Sequence, residues 1–123
     1  MQLREKDLSS SEILSLAKKI TSAGIPLLVN ERFDIALLSG AAGIHSTTGG
    51  LSGNLISEFA PKLIKGKSVH SFDEAIKAEI DGFDYILFGP VYRTPAKVKY
   101  GSPQGIKKLE EVCKKINIPV FAV

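Results

Sequence analysis

The chain has 123 residues, 44% of them hydrophobic and 24% charged, with a net charge of +3 and one cysteine. That is the balance of one ordinary globular domain: it excludes a disulfide scaffold, and no apolar run approaches the roughly 18 to 20 residues of a membrane span. Acidic and basic residues interleave without a Lys/Arg block, so the clustered footprint of nucleic-acid binding is missing, whereas a small positive excess suits a phosphorylated metabolite.

The start, Met1-Gln-Leu-Arg-Glu-Lys6, carries no apolar signal segment, and one cysteine fits a reducing cytoplasm. Gln2–Lys6 reads as a first strand, with Gln2, Arg4 and Lys6 alternating onto one face. Ser9-Ser-Ser-Glu12 is a capping box ahead of Ile13, Leu16, Ala17 and Ile20 at helical spacing, and Gly24 ends that helix. Pro26–Asn30 is a second strand and Asp34–Ser39 a short helix closed by Gly40. Ala42–Ser46 is a third strand, and the loop Thr47-Thr-Gly-Gly50 leads into a helix over Leu51–Ala60, stopped by Pro61. Leu63–Ser68 is a fourth strand, and Ser71-Phe-Asp-Glu74 repeats the capping box before Ala75, Ile76 and Ile80, with Gly82 as the stop. Tyr85–Val91 is a fifth strand. Ile106, Leu109, Val112, Cys113 and Ile116 form an amphipathic stripe that makes Cys113 a core residue, and Pro119–Val123 is a sixth strand.

Most of these runs are continuous rather than alternating, which predicts burial on both faces of a parallel sheet. Strand and helix alternate through short connections, as in right-handed βα units within one domain spanning 1–123. An open doubly wound sheet and part of a barrel remain equally compatible with this pattern. In either, ligands gather beyond the carboxyl ends of the strands. Tyr85-Ile-Leu-Phe88 opens through Gly89-Pro90 into a loop with Thr94, Lys97 and Tyr100, which are donors for an anion.

Read in order, the strand ends are Gln2-Leu-Arg-Glu-Lys6, Val29-Asn-Glu-Arg-Phe-Asp-Ile-Ala36, Gly43-Ile-His45, Gly66-Lys-Ser-Val-His-Ser71 and Gly89-Pro-Val-Tyr-Arg-Thr94 with Lys97. This ordered series resembles the thiamine phosphate synthase family, which includes the TenI-type thiazole tautomerases. The resemblance implies a TIM (β/α)8 barrel, here an incomplete barrel corresponding to strands two to seven, since such barrels take about 200 residues or more. It implies coupling of hydroxymethylpyrimidine diphosphate to thiazole phosphate with release of pyrophosphate, through a pyrimidine carbocation. A homo-oligomer would cover the two open edges.

On this resemblance Gln2, Arg4, Lys6 and Asn30 hold the pyrophosphate, Ser68 the pyrimidine, and Thr94 and Lys97 the thiazole phosphate. Glu31 stands where the family carries an aspartate ligand of magnesium, and Gly50 where it carries the second. Each residue also has a plainer reading. Gln2, Arg4 and Lys6 would line a solvated edge; Glu31 would pair with Arg32 or serve a helix N-terminus; Ser68 would be a strand-end hydroxyl; Arg93, Lys97 and Lys99 would form a basic loop without a ligand. Thr47–Gly50 reads as a turn or as a small backbone anion site. His45 and His70 are the two histidines, and His70 is the acid/base candidate of the pair. The missing second carboxylate favours a metal-free TenI-type tautomerase or a non-catalytic binder of phosphorylated metabolites. Pro90, in the place of a tautomerase histidine, favours the synthase.

Overall fold

Three of the described helices begin at a serine whose hydroxyl accepts one of their first amides. In the computed structural model, which describes residues 1–93 and 102–123, α1 (Ser10–Ser22) starts at Ser9, with both halves of the capping box formed to Glu12. α4 (Phe72–Ile80) starts at Ser71, whose hydroxyl accepts from the Glu74 amide. There the reciprocal half moves up one residue, because the Glu74 carboxylate takes the amide of His70 at 2.7 Å. α2 (Phe33–Ser39) ends at Gly40 in the left-handed conformation, φ 66°, which a residue without Cβ adopts freely. α3 (Gly53–Phe59) is capped by Ser52, two residues later than the sequence pattern predicts. α5 spans Gly105–Lys115. Among the described residues no helix is long and apolar enough to cross a membrane.

Six parallel strands alternate with these helices: β1 (Gln2–Leu3), β2 (Leu28–Asn30), β3 (Gly43–Ser46), β4 (Ile64–Val69), β5 (Tyr85–Phe88) and β6 (Val120–Ala122). Their order across the sheet is their order along the chain. A doubly wound sheet reverses direction at a switch point, whereas a singly wound order is that of a barrel wall. β1 and β6 do not pair with each other, so the wall is an arc rather than a closed barrel.

The register shows which side each residue faces. Leu3, Val29 and Ile44 are aligned and buried against Ile13, Ala17, Ile35, Ala36 and Ile56 of the first three helices. Val69, Ile86 and Phe88 are buried against Ala75, Ala78, Val112 and Ile116. Every described helix therefore covers the same face. The opposite face carries Gln2, Leu28, Ile64, Tyr85, Leu87 and Phe121 around an open hollow of about 480 Å³. Burial on both faces is thus not what this chain shows: Ile64 and Phe121 remain 46% and 54% exposed.

Two further expectations change. β1 stops at Leu3, leaving Arg4 and Lys6 exposed beyond it. It is an edge strand with one neighbour, and that neighbour turns away after Asn30. Cys113 is exposed, because α5 buries Val112, with Leu109 packed beside it, and leaves Ile106 in solvent. A residue one step along a helix from a buried position is rotated by about 100° away from it.

Candidate functional site

The polar residues on the open face lie at the carboxyl ends of the strands. On β1 and β2, the Gln2 amide donates to the Asn30 side-chain oxygen at 3.2 Å. Asn30 is level with His45 of β3, and His45 with Gly66 of β4. His45 is buried, 1% exposed, with both ring nitrogens engaged: Nε2 lies 2.8 Å from Ser68 Oγ and Nδ1 lies 3.0 Å from the Tyr85 hydroxyl. Three neighbouring strands thus contribute one connected polar trio.

Gly66 makes this connection possible. Tyr85 on β5 is paired with Gly66 on β4, and a Cβ on residue 66 would overlap the Tyr85 ring. With no side chain there, the ring lies across β4 and its hydroxyl reaches His45 two strands away. The rings of His45 and Tyr85 are 5.7 Å apart, and Phe121 of β6 meets Tyr85 edge-on from the other side. Sequence reasoning missed Tyr85 as a site residue and gave His45 second place to His70. The available signal was a glycine inside a strand, which marks a close approach by a neighbour.

Burial is the main cause that pushes the His45 pKa below its ordinary 6.5, with Glu31 opposing and Arg4 reinforcing the shift. Both charged groups are therefore close enough to act on the ring. The Tyr85 hydroxyl is pushed above its ordinary 10.0 by burial, so it remains a protonated donor near neutral pH.

Glu31 is the single non-glycine with positive φ among the described residues, at 63°. Such backbone costs energy for a residue with a Cβ and concentrates at functional positions. Its amide donates to the His45 carbonyl at 3.0 Å, and its carboxylate accepts from the Thr47 amide. It does not pair with Arg32, which instead makes a two-pronged bond to Asp34 at 2.9 and 2.6 Å. The second carboxylate oxygen of Glu31 lies 3.0 Å from where a Cβ on Gly50 would stand. Thr47–Gly50 is a turn, closed by the Gly50 amide on the Thr47 carbonyl at 3.1 Å.

No group of three His, Cys, Asp or Glu side chains that could hold a metal occurs among the described residues. Glu31 supplies one hard oxygen donor at this end of the sheet. One carboxylate suits magnesium only where phosphate oxygens and water complete the octahedron.

The remaining sequence-predicted residues divide. Asn30 lies level with His45 and Ser68 hydrogen-bonds it, whereas Arg4 is exposed just past the end of β1. Lys6 is exposed past the end of β1 and makes no ion pair among the described residues. His70 has its Nδ1 on the Gly89 carbonyl at the cis Gly89–Pro90 bond. Thr94, Lys97, Lys99 and Tyr100 lie outside the described residues. Gly89 is confined by the sheet, since a Cβ there would run into Val123.

Comparisons with known proteins agree with this geometry. A Geobacter sulfurreducens protein assigned provisionally as a thiamine-phosphate synthase is 44% identical over the whole of this chain and 60% of its own length. The thiamine-phosphate synthase of Methanocella arvoryzae is 38% identical, again over the whole chain and 60% of the relative. The solved thiamine phosphate pyrophosphorylase from Pyrococcus furiosus superposes with a TM-score of 0.84 at 30% identity, covering 99% of this chain and 60% of that one. An N-acetylmannosamine-6-phosphate 2-epimerase from Clostridium perfringens shares the fold alone, at 17% identity and a TM-score of 0.54. The chain spans about 60% of the length of these synthase relatives. The model of the thiamine monophosphate synthase family matches residues 1–123, and the chain belongs to that family.

Proposed function

We propose that this chain forms the substrate-holding wall of a thiamine-phosphate synthase, a transferase that joins hydroxymethylpyrimidine diphosphate to thiazole phosphate and releases pyrophosphate. The observation that carries the reading is the meeting of Asn30 and Ser68 at the buried His45, one level with it in the sheet and the other 2.8 Å from its Nε2. In this reading Arg4, Lys6, Asn30 and Gln2 hold the diphosphate, and Ser68 contacts the pyrimidine. Thr94 and Lys97 hold the thiazole phosphate. Catalysis is stabilisation of the departing anion by fixed donors and charges, together with alignment of the two rings.

Glu31 is the residue through which magnesium would be held, with diphosphate oxygens and water completing its shell; the ion would neutralise the leaving group. In this reading the protein acts in the cytoplasm and self-associates.

The test is to supply both substrates and measure thiamine phosphate and pyrophosphate. Arg4→Ala should weaken binding of the pyrimidine diphosphate far more than binding of the thiazole phosphate. Equal losses for the two would count against the assignment.

One observation favours a second reading. Gly50 supplies no second carboxylate beside Glu31, as suits a TenI-type tautomerase working without metal. That activity would persist without added magnesium and be abolished by His70→Ala.

A further inference from the structure

We infer that His70 is a positioning residue: its Nδ1–H holds the buried Gly89 carbonyl and so sets the path by which the chain leaves β5. For its catalytic consequence the inference rests on the proposed reading of Thr94 and Lys97 as the thiazole phosphate contacts. It gives His70 a task other than acid/base chemistry.

The direction of this bond is fixed by its acceptor. A carbonyl oxygen has lone pairs and no proton, so the ring nitrogen that meets it must carry the hydrogen. In His70 that nitrogen is Nδ1, which places the lone pair of the neutral ring on Nε2. Protonating the ring adds a hydrogen at Nε2 and leaves the Nδ1 bond in place, so the hold on Gly89 is independent of the ring's charge. The carbonyl depends on this bond. Gly89 is buried, and among the described residues its carbonyl has the His70 ring as its one donor. A buried carbonyl left without a donor is costly.

The ring is itself anchored, and what it holds is a junction. The His70 amide donates to the Glu74 carboxylate at 2.7 Å, and the Glu74 amide donates to the Ser71 hydroxyl at 3.2 Å, which ties His70 to the first turn of α4. Across from it, the Gly89 amide donates to the Val69 carbonyl at 3.2 Å and the Val91 amide to the Val123 carbonyl at 2.8 Å. The Pro90 and Val91 carbonyls accept from the amides of Gln104 and Gly105, at 2.8 and 3.1 Å. Residues 89–91 and 104–105 thus form one clasp, and they flank the stretch of sequence that carries Thr94 and Lys97. His70 ties that clasp to the end of β4 and the start of α4.

The experiment has three arms. Nitrogen-15 NMR of the labelled parent chain near neutral pH reads the ring without relying on a variant, and His70→Asn assigns the signal. His70 is expected with its proton on Nδ1, and a bare Nδ1 overturns the inference. The second arm is amide hydrogen exchange. His70→Ala should speed exchange at Val91, Gln104 and Gly105 by about tenfold. His70→Asn places an amide N–H where Nδ1 stood and has nothing to titrate, so it should recover most of that loss. Unchanged exchange in His70→Ala, or exchange in His70→Asn as fast as in His70→Ala, overturns the inference. The third arm is steady-state kinetics with both substrates. His70→Ala should raise KM for the thiazole phosphate by about tenfold with KM for the pyrimidine diphosphate little changed, and His70→Asn should bring it back. A fall in kcat shared by both variants, with KM unchanged, would make His70 an acid/base group and overturn the inference. Absent turnover by the parent chain would remove the synthase reading and the catalytic consequence with it; the exchange arm would still decide whether His70 holds Gly89.

Discussion

The Glu31 carboxylate fills the space that a side chain on Gly50 would need, with Oε2 3.0 Å from the position of that missing Cβ. The two residues are complementary: a long acidic side chain on one loop and no side chain on the next. Gly50→Asp would put a second carboxylate beside the first. The Glu31 side chain can yield because its end is flexible, but the like charges repel. The variant should lose about 1 kcal/mol of stability in chelator and regain it in millimolar magnesium. Its magnesium-dependent turnover should rise. Thermal unfolding with and without magnesium checks the first outcome, and an unchanged rate would dismiss the second.

Gly66→Ala should be more harmful than an added methyl usually is. The new Cβ would occupy the Tyr85 ring position, so either the ring moves or the strands part. A loss of about 1–3 kcal/mol is expected by urea unfolding. Combining it with Tyr85→Ala should cost less than the sum of the two single changes, because the clash disappears with the ring.

Acid should weaken the fold through His45. Its folded pKa lies below the ordinary 6.5, so the unfolded chain binds the proton more readily. Stability from this group is complete above about pH 6.5 and declines as the pH falls towards the folded pKa. Urea midpoints from about pH 8 to about pH 5 should fall more steeply for the parent chain than for His45→Gln. Arg4→Ala should flatten the decline by removing a charge that holds the pKa down, and Glu31→Gln should steepen it.

Lys65 is buried on the helix-covered face, at 6% exposed, with Nζ 3.0 Å from Asp84 Oδ2. The same oxygen takes the Lys65 amide at 2.7 Å, and the Asp84 amide returns to the Lys65 carbonyl at 2.7 Å. Asp84→Ala should cost about 2–3 kcal/mol, below the full range for a buried pair because Asp84 is half exposed. Lys65→Met should cost less, since no buried charge is left behind. Chemical denaturation of both variants checks the ranking.

Local chemistry was legible in the residues themselves. Ser9 with Glu12, Ser71 with Glu74, and Gly40 act within a few positions of where they stand, so spacing alone located the helices they bound. The alternation of strand and helix was legible for the same reason. The choice of barrel wall over doubly wound sheet was legible only through the family resemblance of the strand-end motifs, because short-range patterns do not encode strand order. Cys113 misled because the stripe on α5 is narrower than its apolar composition suggests. Tyr85 was read as one more residue of an apolar strand, since its role depends on which strand lies beside it and on Gly66 leaving room. His70 drew attention by sequence position, whereas His45 owes its surroundings to three separate strands.

The trio of His45, Ser68 and Tyr85 belongs to β3, β4 and β5, each of which has a hydrogen-bonded strand on either side. Gln2 and Arg4 belong to the margin, on or just past a strand with a single neighbour. A small molecule laid over the trio would therefore meet strands braced on both sides, so substitutions at His45, Ser68 or Tyr85 should alter which molecule is accepted.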